Sequence, residues 1–441
     1  MTTIPSIEAG RGLGGRVAWL TGVNIMVAAL GLITGPIQAH VLGPSGRGEV
    51  AAVVTTVAIA TWVLDFGLTA FVARARARGT TAALVYGTVV PLSLAFSLIG
   101  VAAAFPVAEL IGQGRDTVEQ FLRIGLLLTP VSVALLTLTG ALWGEGRWRL
   151  VGVTRIAGAL LSVAAITTLA LLGELTVSST IVSLLLTSMI GSALLYPALR
   201  GSGRWRFDRP LAREALGFGA HNWIASLAIY ANLRLDQLLM AGLVSSRQLG
   251  LYAVATSLAG FSSVFVGALT FGLFPRVARG DPALAQRGCR IALALVTATS
   301  VVAAAAMPVV LPLLFGRSFQ DAVPMALILL PAGICAAFIA VLSVSLAAAG
   351  HPRVTVRPQV SGLAIAALLL VTLLPSTGGI GASVITVISG LVTAALLLRA
   401  GLGVFGGRAA DYVRPTAADL ALVRERLLAR RPVSPDAASP S

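Results

Sequence analysis

The stretch 216–244 carries His221, Asn222, Asn232, Arg234, Asp236 and Gln237 in a run that is otherwise apolar enough to lie in lipid. Such groups are costly inside a bilayer unless each meets water or a partner, so they mark sites. On a helix turning 100° per residue, His221, Asn232 and Asp236 fall within about 60° of one another, while Tyr230 and Arg234 lie on the other side. Arg234 and Asp236 therefore cannot pair within their own helix. Two arrangements would satisfy them: a hydrated cavity beside the helix, or an ion pair to another helix, for example Asp236 with Arg155. The chemistry on offer is binding rather than bond making. There is no paired-carboxylate, metal-ligand or nucleophile–base constellation and no Walker motif, so no enzyme, cofactor or metal is expected.

Asp65 and Arg155 also fall inside apolar runs. Asp65 and Asp236 are the intramembrane acids, and either could serve ion coupling; Asp65 also lies near Arg74 and Arg76, which would make it half of a structural ion pair. Arg155 could line a cavity or snorkel its head toward the membrane surface.

The elements that must position these residues are membrane spans. Of 441 residues, 57% are hydrophobic and 11% charged, against about 25% charged in a soluble domain. A spanning helix needs about 20 apolar residues, and twelve such blocks follow in order: 17–38, 49–72, 82–107, 120–143, 150–172, 177–199, 216–244, 249–274, 291–315, 323–349, 358–374 and 378–398. The fold class is thus an all-α integral membrane protein.

The net charge of +15 would point to nucleic acid on a soluble chain, but here the basic residues, all of them Arg, sit between the apolar blocks. No nucleic-acid partner is expected; membrane lipids are. With the N-terminus inside, the internal loops before the last span hold 18 Arg and the external loops only Arg47, Arg115, Arg247 and Arg317. That is the positive-inside pattern, and an error of one span would invert half the loops. It predicts twelve spans with both termini in the cytoplasm. The stretch 1–16 runs into span 1 without a signal-peptide cleavage pattern.

Landmarks repeat along the chain. Pro106 matches Pro308, Gly114–Arg115 matches Gly316–Arg317, Gly48 matches Gly250 and Arg74 matches Arg276, all at an offset of 202; Pro130 meets Pro331 at 201 and Gly158 meets Gly362 at 204. Two six-helix lobes, 1–205 and 206–401, follow from this. An even number of spans per lobe makes them a parallel repeat about an axis along the membrane normal. The basic joint 200–214 reads as a plain connector.

Several short motifs carry a family likeness. They are "LGPSGRGEVA" at 42–51, "NLRLDQLLMAGL" in span 7, "QLGLYAVA" opening span 8, "LPLLFGRSFQDAVP" closing span 9 and "LAAAGHPRV" closing span 10. In this order they resemble the bacterial polysaccharide flippases of the O-antigen and teichoic-acid type, in the superfamily that also holds the MATE multidrug exporters and the lipid II flippases. Twelve spans rather than fourteen point away from the lipid II branch. The resemblance implies a MATE-like fold in the bacterial cytoplasmic membrane, with a polyprenyl-diphosphate-linked oligosaccharide as substrate. It implies polysaccharide polymerases or glycosyltransferases as partners. It also implies a central cavity among spans 1, 2, 7 and 8, lined by Asn24, Gln38, Asp65, Arg234 and Asp236. For a diphosphate, Arg234 is the favoured ligand, because a guanidinium is always charged and grips phosphate oxygens in pairs. The rivals are a cation-coupled multidrug antiporter of the same fold and a non-transporting scaffold for envelope assembly.

Smaller features complete the reading. Pro91, Pro130 and Pro331 fall mid-span, where proline kinks a helix. "LGPSGRG" reads as a tight external turn. "GRGLGG" at 10–15 has the glycine spacing of a dinucleotide loop but precedes a membrane span, so it carries nothing. Cys289 and Cys335 read as inert packing thiols. In the tail 402–441, Thr416 and Asp419 would cap a short amphipathic helix, for which the sequence leaves two readings open: a helix lying on the anionic inner leaflet, or a solvated tail.

Overall fold

The computed structural model describes residues 9–194, 203–260, 282–414 and 416, with side chains except in 9–18, 221–222, 224–226, 228–229 and 282. The order of helices is α1 Ala9–Leu64, α2 Leu68–Ala77, α3 Ala82–Gly112, α4 Asp116–Leu127, α5 Thr129–Gly144, α6 Trp148–Leu171 and α7 Val177–Ala193. The second half has α8 Arg209–Leu243, α9 Ser246–Ala259, α10 Pro282–Phe315, α11 Ala322–Ala348, α12 Val356–Phe405 and α13 Ala409–Val413. No strand occurs among the described residues.

At 56 residues, α1 would reach about 84 Å if straight, nearly three times the hydrocarbon thickness. It doubles back at Gly43, whose φ of 65° and ψ of −176° leave helical geometry and are open to glycine without steric cost. The Arg47 guanidinium donates to the Gln38 side-chain oxygen across the bend. Trp19 on one arm packs over Gly152 at the start of α6, while Thr69, just beyond the other arm, lies against Gly140 near the end of α5. The turn is therefore one residue, where the sequence predicts a loop over 39–48. α12 repeats the device at Gly378 (φ 58°, ψ −147°), and a Cβ on Gly362 of one arm would meet Thr393 Oγ1 of the other. Six described helices are long and apolar enough to cross a membrane, seven if α4 and α5, bent by 49°, form one span. Counting α1 and α12 twice and adding α7 and α8 gives eleven passes among the described residues, and α9 begins a twelfth. The continuation of α9, like the tail from 417 and its expected amphipathic helix, lies outside the described residues.

Proline acts at one of its three mid-span positions. Pro130 opens α5 at the bend after α4, whereas Pro91 and Pro331 lie within helices that run on through them. The joint between the halves is more than a connector. The Arg206 amide donates to the Ala83 carbonyl, the Asp208 amide donates to Thr88 Oγ1, and Trp205 tilts against Tyr86. Asp208 then caps α8 by accepting from the Leu211 amide. The entry to α8 is thus strapped onto the start of α3.

The apolar core is divided unequally along the membrane normal. At the end marked by Gly43, one buried cluster takes residues from both halves, including Val53, Ile111, Leu122, Leu251, Tyr252, Leu311, Phe319 and Leu374. At the opposite, arginine-rich end there are two separate clusters. One holds Phe71, Tyr86, Leu142 and Ala215; the other holds Cys289, Phe338, Leu342 and Tyr412. The two halves are fused at one end and parted at the other.

The fused end is sealed backbone to backbone. A Cβ on Gly48 would lie 1.8 Å from the Ser246 carbonyl oxygen, and a Cβ on Gly250 would lie 1.9 Å from the Pro44 carbonyl oxygen. The contact is reciprocal, since Ser246 and Gly250 stand the same 202 positions after Pro44 and Gly48.

Candidate functional site

A cavity of about 1390 Å³ lies almost wholly within the first half and meets the second only at α8. Every lining residue but Trp223 and Tyr230 of α8 lies between Val27 and Ser192, on α1, α2 and α4–α7 or the turns between them. It reaches the arginine-rich end at Ala77 and Gly146 and extends inward to Val57 and Gly125. Among the described residues its lining holds two charged side chains, Asp65 and Arg155.

Asp65 is positioned by a break in the helix. Phe66 (φ 49°) and Gly67 (φ 71°) interrupt the path between α1 and α2. The carboxylate turns onto the first turn of α2, accepting from Thr69 Oγ1 at 2.5 Å and from the Thr69 amide at 3.2 Å, with Thr137 Oγ1 at 3.4 Å. The predicted pairing with Arg74 or Arg76 does not form. Those residues lie nine and eleven positions further on, and each is engaged: Arg76 with Glu145 at 2.6 Å, Arg74 over the Phe218 ring at 4.5 Å.

Arg155, in the first turns of α6, is exposed to the cavity and has no hydrogen-bond or ion-pair partner among the described residues. The ion pair weighed for Asp236 and Arg155 is absent. Instead, buried Tyr252 of α9 donates to the Asp236 carboxylate, which also accepts from the Gln237 amide at 2.7 Å. Tyr252 Oη also lies 3.2 Å from Thr386 Oγ1 of α12.

The other predicted residues are spread more widely than a single central cavity would place them. Arg234 reaches forward one turn to Gln237 Oε1 at 3.0 Å. Gln237 in turn accepts from Thr55 of α1 at 3.2 Å and donates to Thr256 of α9 at 3.1 Å, so this amide ties three helices together. Asn232 donates to the Gln359 carbonyl of α12 at 3.2 Å. None of Asn232, Arg234 and Asp236 lines the cavity; they form a polar seam between α8 and its neighbours. Gln38 is buried and engaged with Arg47 at the sealed end, and Asn24 is exposed on α1 outside the lining. The His221 side chain lies outside the described residues.

Sequence reasoning passed over the aromatic lining. Trp62, Trp143, Trp148 and Trp223 all line the cavity, four of only six tryptophans in the chain. Their scarcity was the available signal, but their convergence depends on tertiary packing. Among the described residues no cluster of His, Cys, Asp or Glu could hold a metal ion, and both cysteines are buried and free.

The helices superpose on solved transporters. The lipid II flippase MurJ in an inward closed conformation matches with a TM-score of 0.72 at 12% identity, over 94% of each chain. A multidrug resistance MATE family transporter in an inward-facing conformation matches with 0.69 at 16% identity, over 86% of this chain and 94% of that one. A point mutant of the Vibrio cholerae MATE transporter VcmN gives 0.59 at 15% identity, over 89% of this chain and 97% of that one. At such identities the likeness is one of fold. No curated protein matches in sequence. A family model described as "Polysaccharide biosynthesis protein" matches residues 37–324, most of the chain and nearly all of the cavity wall. By that match the chain belongs to the polysaccharide biosynthesis protein family, and by its apolar helices it is a multi-pass membrane protein of MATE-like fold.

Proposed function

We propose that the protein flips a polyprenyl-diphosphate-linked oligosaccharide across the bacterial cytoplasmic membrane, with the arginine-rich end and both termini in the cytoplasm. The lobes 1–205 and 206–401 rock about their common axis, exposing the cavity first to one side and then to the other. The head group travels in the cavity while the prenyl tail stays in lipid. Support for two lobes comes from the reciprocal Gly48–Ser246 and Gly250–Pro44 contact, which a twofold relation between equivalent segments produces.

Arg155 carries the reading. It is a permanent cation inside a membrane cavity whose one acid among the described residues is Asp65, and Asp65 is already held by Thr69 and Thr137. A diphosphate is the counter-charge that such a cavity lacks, and guanidinium binds it through paired hydrogen bonds. Arg234 and Asp236, in the seam at α8, then serve the coupling of substrate to lobe movement, with Asp236 or Asp65 taking the coupling ion. Polymerases or glycosyltransferases would act on the same lipid before and after it crosses.

The test is Arg155→Gln expressed in place of the wild type, with lipid-linked oligosaccharides assayed by leaflet. Losing a charge-assisted contact of about 1.5–3 kcal/mol slows transport roughly ten- to hundredfold, with membrane insertion unchanged. Wild-type transport by a stably inserted Arg155→Gln protein would sink the assignment. Asp65 in the cavity favours one rival, a cation-coupled multidrug antiporter. That reading requires drug sensitivity on deletion with no accumulating lipid.

A further inference from the structure

The cavity gathers aromatic rings at a depth where lipid contact does not explain them. Tryptophans in membrane proteins concentrate at the headgroup level, and Trp143 and Trp148, near the turn at Gly146, fit that account. Trp62 does not. It lies twelve residues before Arg74, beyond the whole of the first part of α2 and the break at Phe66–Gly67, and so well inward from the arginine-rich end. There it stacks on Tyr230 of α8 with ring centroids 3.8 Å apart and planes 22° from parallel. Both rings are half-buried and both form cavity wall.

The two segments that carry the pair are tied to each other. Trp223, two turns before Tyr230 on α8, donates its indole N–H to the Val63 carbonyl at 2.8 Å. Phe66 packs against Trp223 at 5.2 Å and against Phe96 at 4.4 Å. Rings stacked on each other, on segments so tied, lose little freedom when a ligand arrives, which favours binding. An aromatic face carries negative charge density and attracts the slightly positive hydrogens of C–H groups. A hexopyranose ring presents just such a patch of C–H hydrogens on one face and hydroxyls around its rim. The rest of the lining suits those hydroxyls: Thr61, Ser132, Thr139, Ser162 and Ser188 all lie on the wall of the same cavity.

We propose that the Trp62–Tyr230 pair is the carbohydrate subsite of the cavity, receiving the C–H face of a hexopyranose in the translocated head group while Arg155 takes the diphosphate. The proposal rests on the reading of the cavity as a head-group chamber. Stacking needs only an apolar ring face, so the subsite accepts more than one sugar, and the identity of that sugar is set by the hydroxyl-bearing residues around it.

The experiment is calorimetric titration of the full-length protein in nanodiscs with two probes, geranyl diphosphate and geranyl diphosphate carrying one N-acetylglucosamine. The sugar tightens binding to the wild type about tenfold, the order of one good aromatic contact. Trp62→Leu and, separately, Tyr230→Leu abolish that gain and leave geranyl diphosphate binding within about twofold of wild type. Arg155→Gln weakens both probes alike. A full sugar gain retained in both leucine variants, or no gain in the wild type, overturns the subsite while Arg155-dependent binding of geranyl diphosphate keeps the chamber. If the wild type binds neither probe, the chamber reading fails and the subsite falls with it.

Discussion

Asp236 shows how a single buried charge is managed in this protein. It is held by the Tyr252 hydroxyl and the Gln237 amide, and Tyr252 is itself fully buried. Removing that hydroxyl leaves a carboxylate in the membrane interior with only its backbone donor, at a cost of about 1–3 kcal/mol. Tyr252→Phe is therefore expected to lower the thermal unfolding midpoint in detergent, and Asp236→Asn added to it to recover part of the loss, because a neutral amide needs less. An unchanged midpoint for Tyr252→Phe would show that water already serves the carboxylate. Arg155 is the contrasting case. It has no partner among the described residues, and the prediction for Arg155→Gln is a loss of transport without a loss of stability.

At the scale of elements, the informative contact is the glycine seal between α1 and α9. Backbone meets backbone there, so an added methyl cannot be accommodated by a side-chain rotation. Overpacking costs of this kind are about 1–3 kcal/mol, enough to shift a two-state equilibrium roughly five- to hundredfold. Gly250→Ala should move the population toward the state open at the Gly43 end. A cysteine placed at Thr61, in the cavity lining, reports the shift. Impermeant maleimide labels it from the arginine-rich side in the parent protein and from the opposite side once Gly250→Ala is added. The native Cys289 and Cys335 are buried and leave the background low. Labelling from the same side alone in both proteins would mean that the seal is not a gate.

At the scale of the molecule, the halves share one core at the Gly43 end and have separate cores at the other, and the cavity of the first half reaches the arginine-rich end at Ala77 and Gly146. In the orientation proposed above, with the arginine-rich end in the cytoplasm, that end is where a lipid-linked precursor would be collected. The strap of residues 203–208 onto α3 makes the start of α8 move with the first half, so bending is expected along α8 rather than at the joint. Depletion of the protein in its host should raise one polyprenyl-linked oligosaccharide in the cytoplasmic leaflet, read by mass spectrometry after leaflet-selective labelling. Normal surface polymer and no accumulating lipid, in a strain without a second flippase, would remove the flippase reading and advance the antiporter.

The apolar spans and their order were legible in the linear chain, because hydropathy is a local quantity that a bilayer reads span by span. The polar character of the α8 segment was legible for the same reason, as was the 202-residue repeat that pairs Gly48 with Gly250. The destinations of the side chains were not. Asp65 was drawn toward Arg74 by sequence distance, and a backbone break at Phe66–Gly67 turned it to Thr69 instead. Asp236 found Tyr252 and not Arg155, Gln38 found Arg47, and four distant tryptophans met around one cavity. Each outcome depends on which helix faces compete for the same space. Periodicity places a residue on a face, but only the packing of all the helices together decides what that face meets.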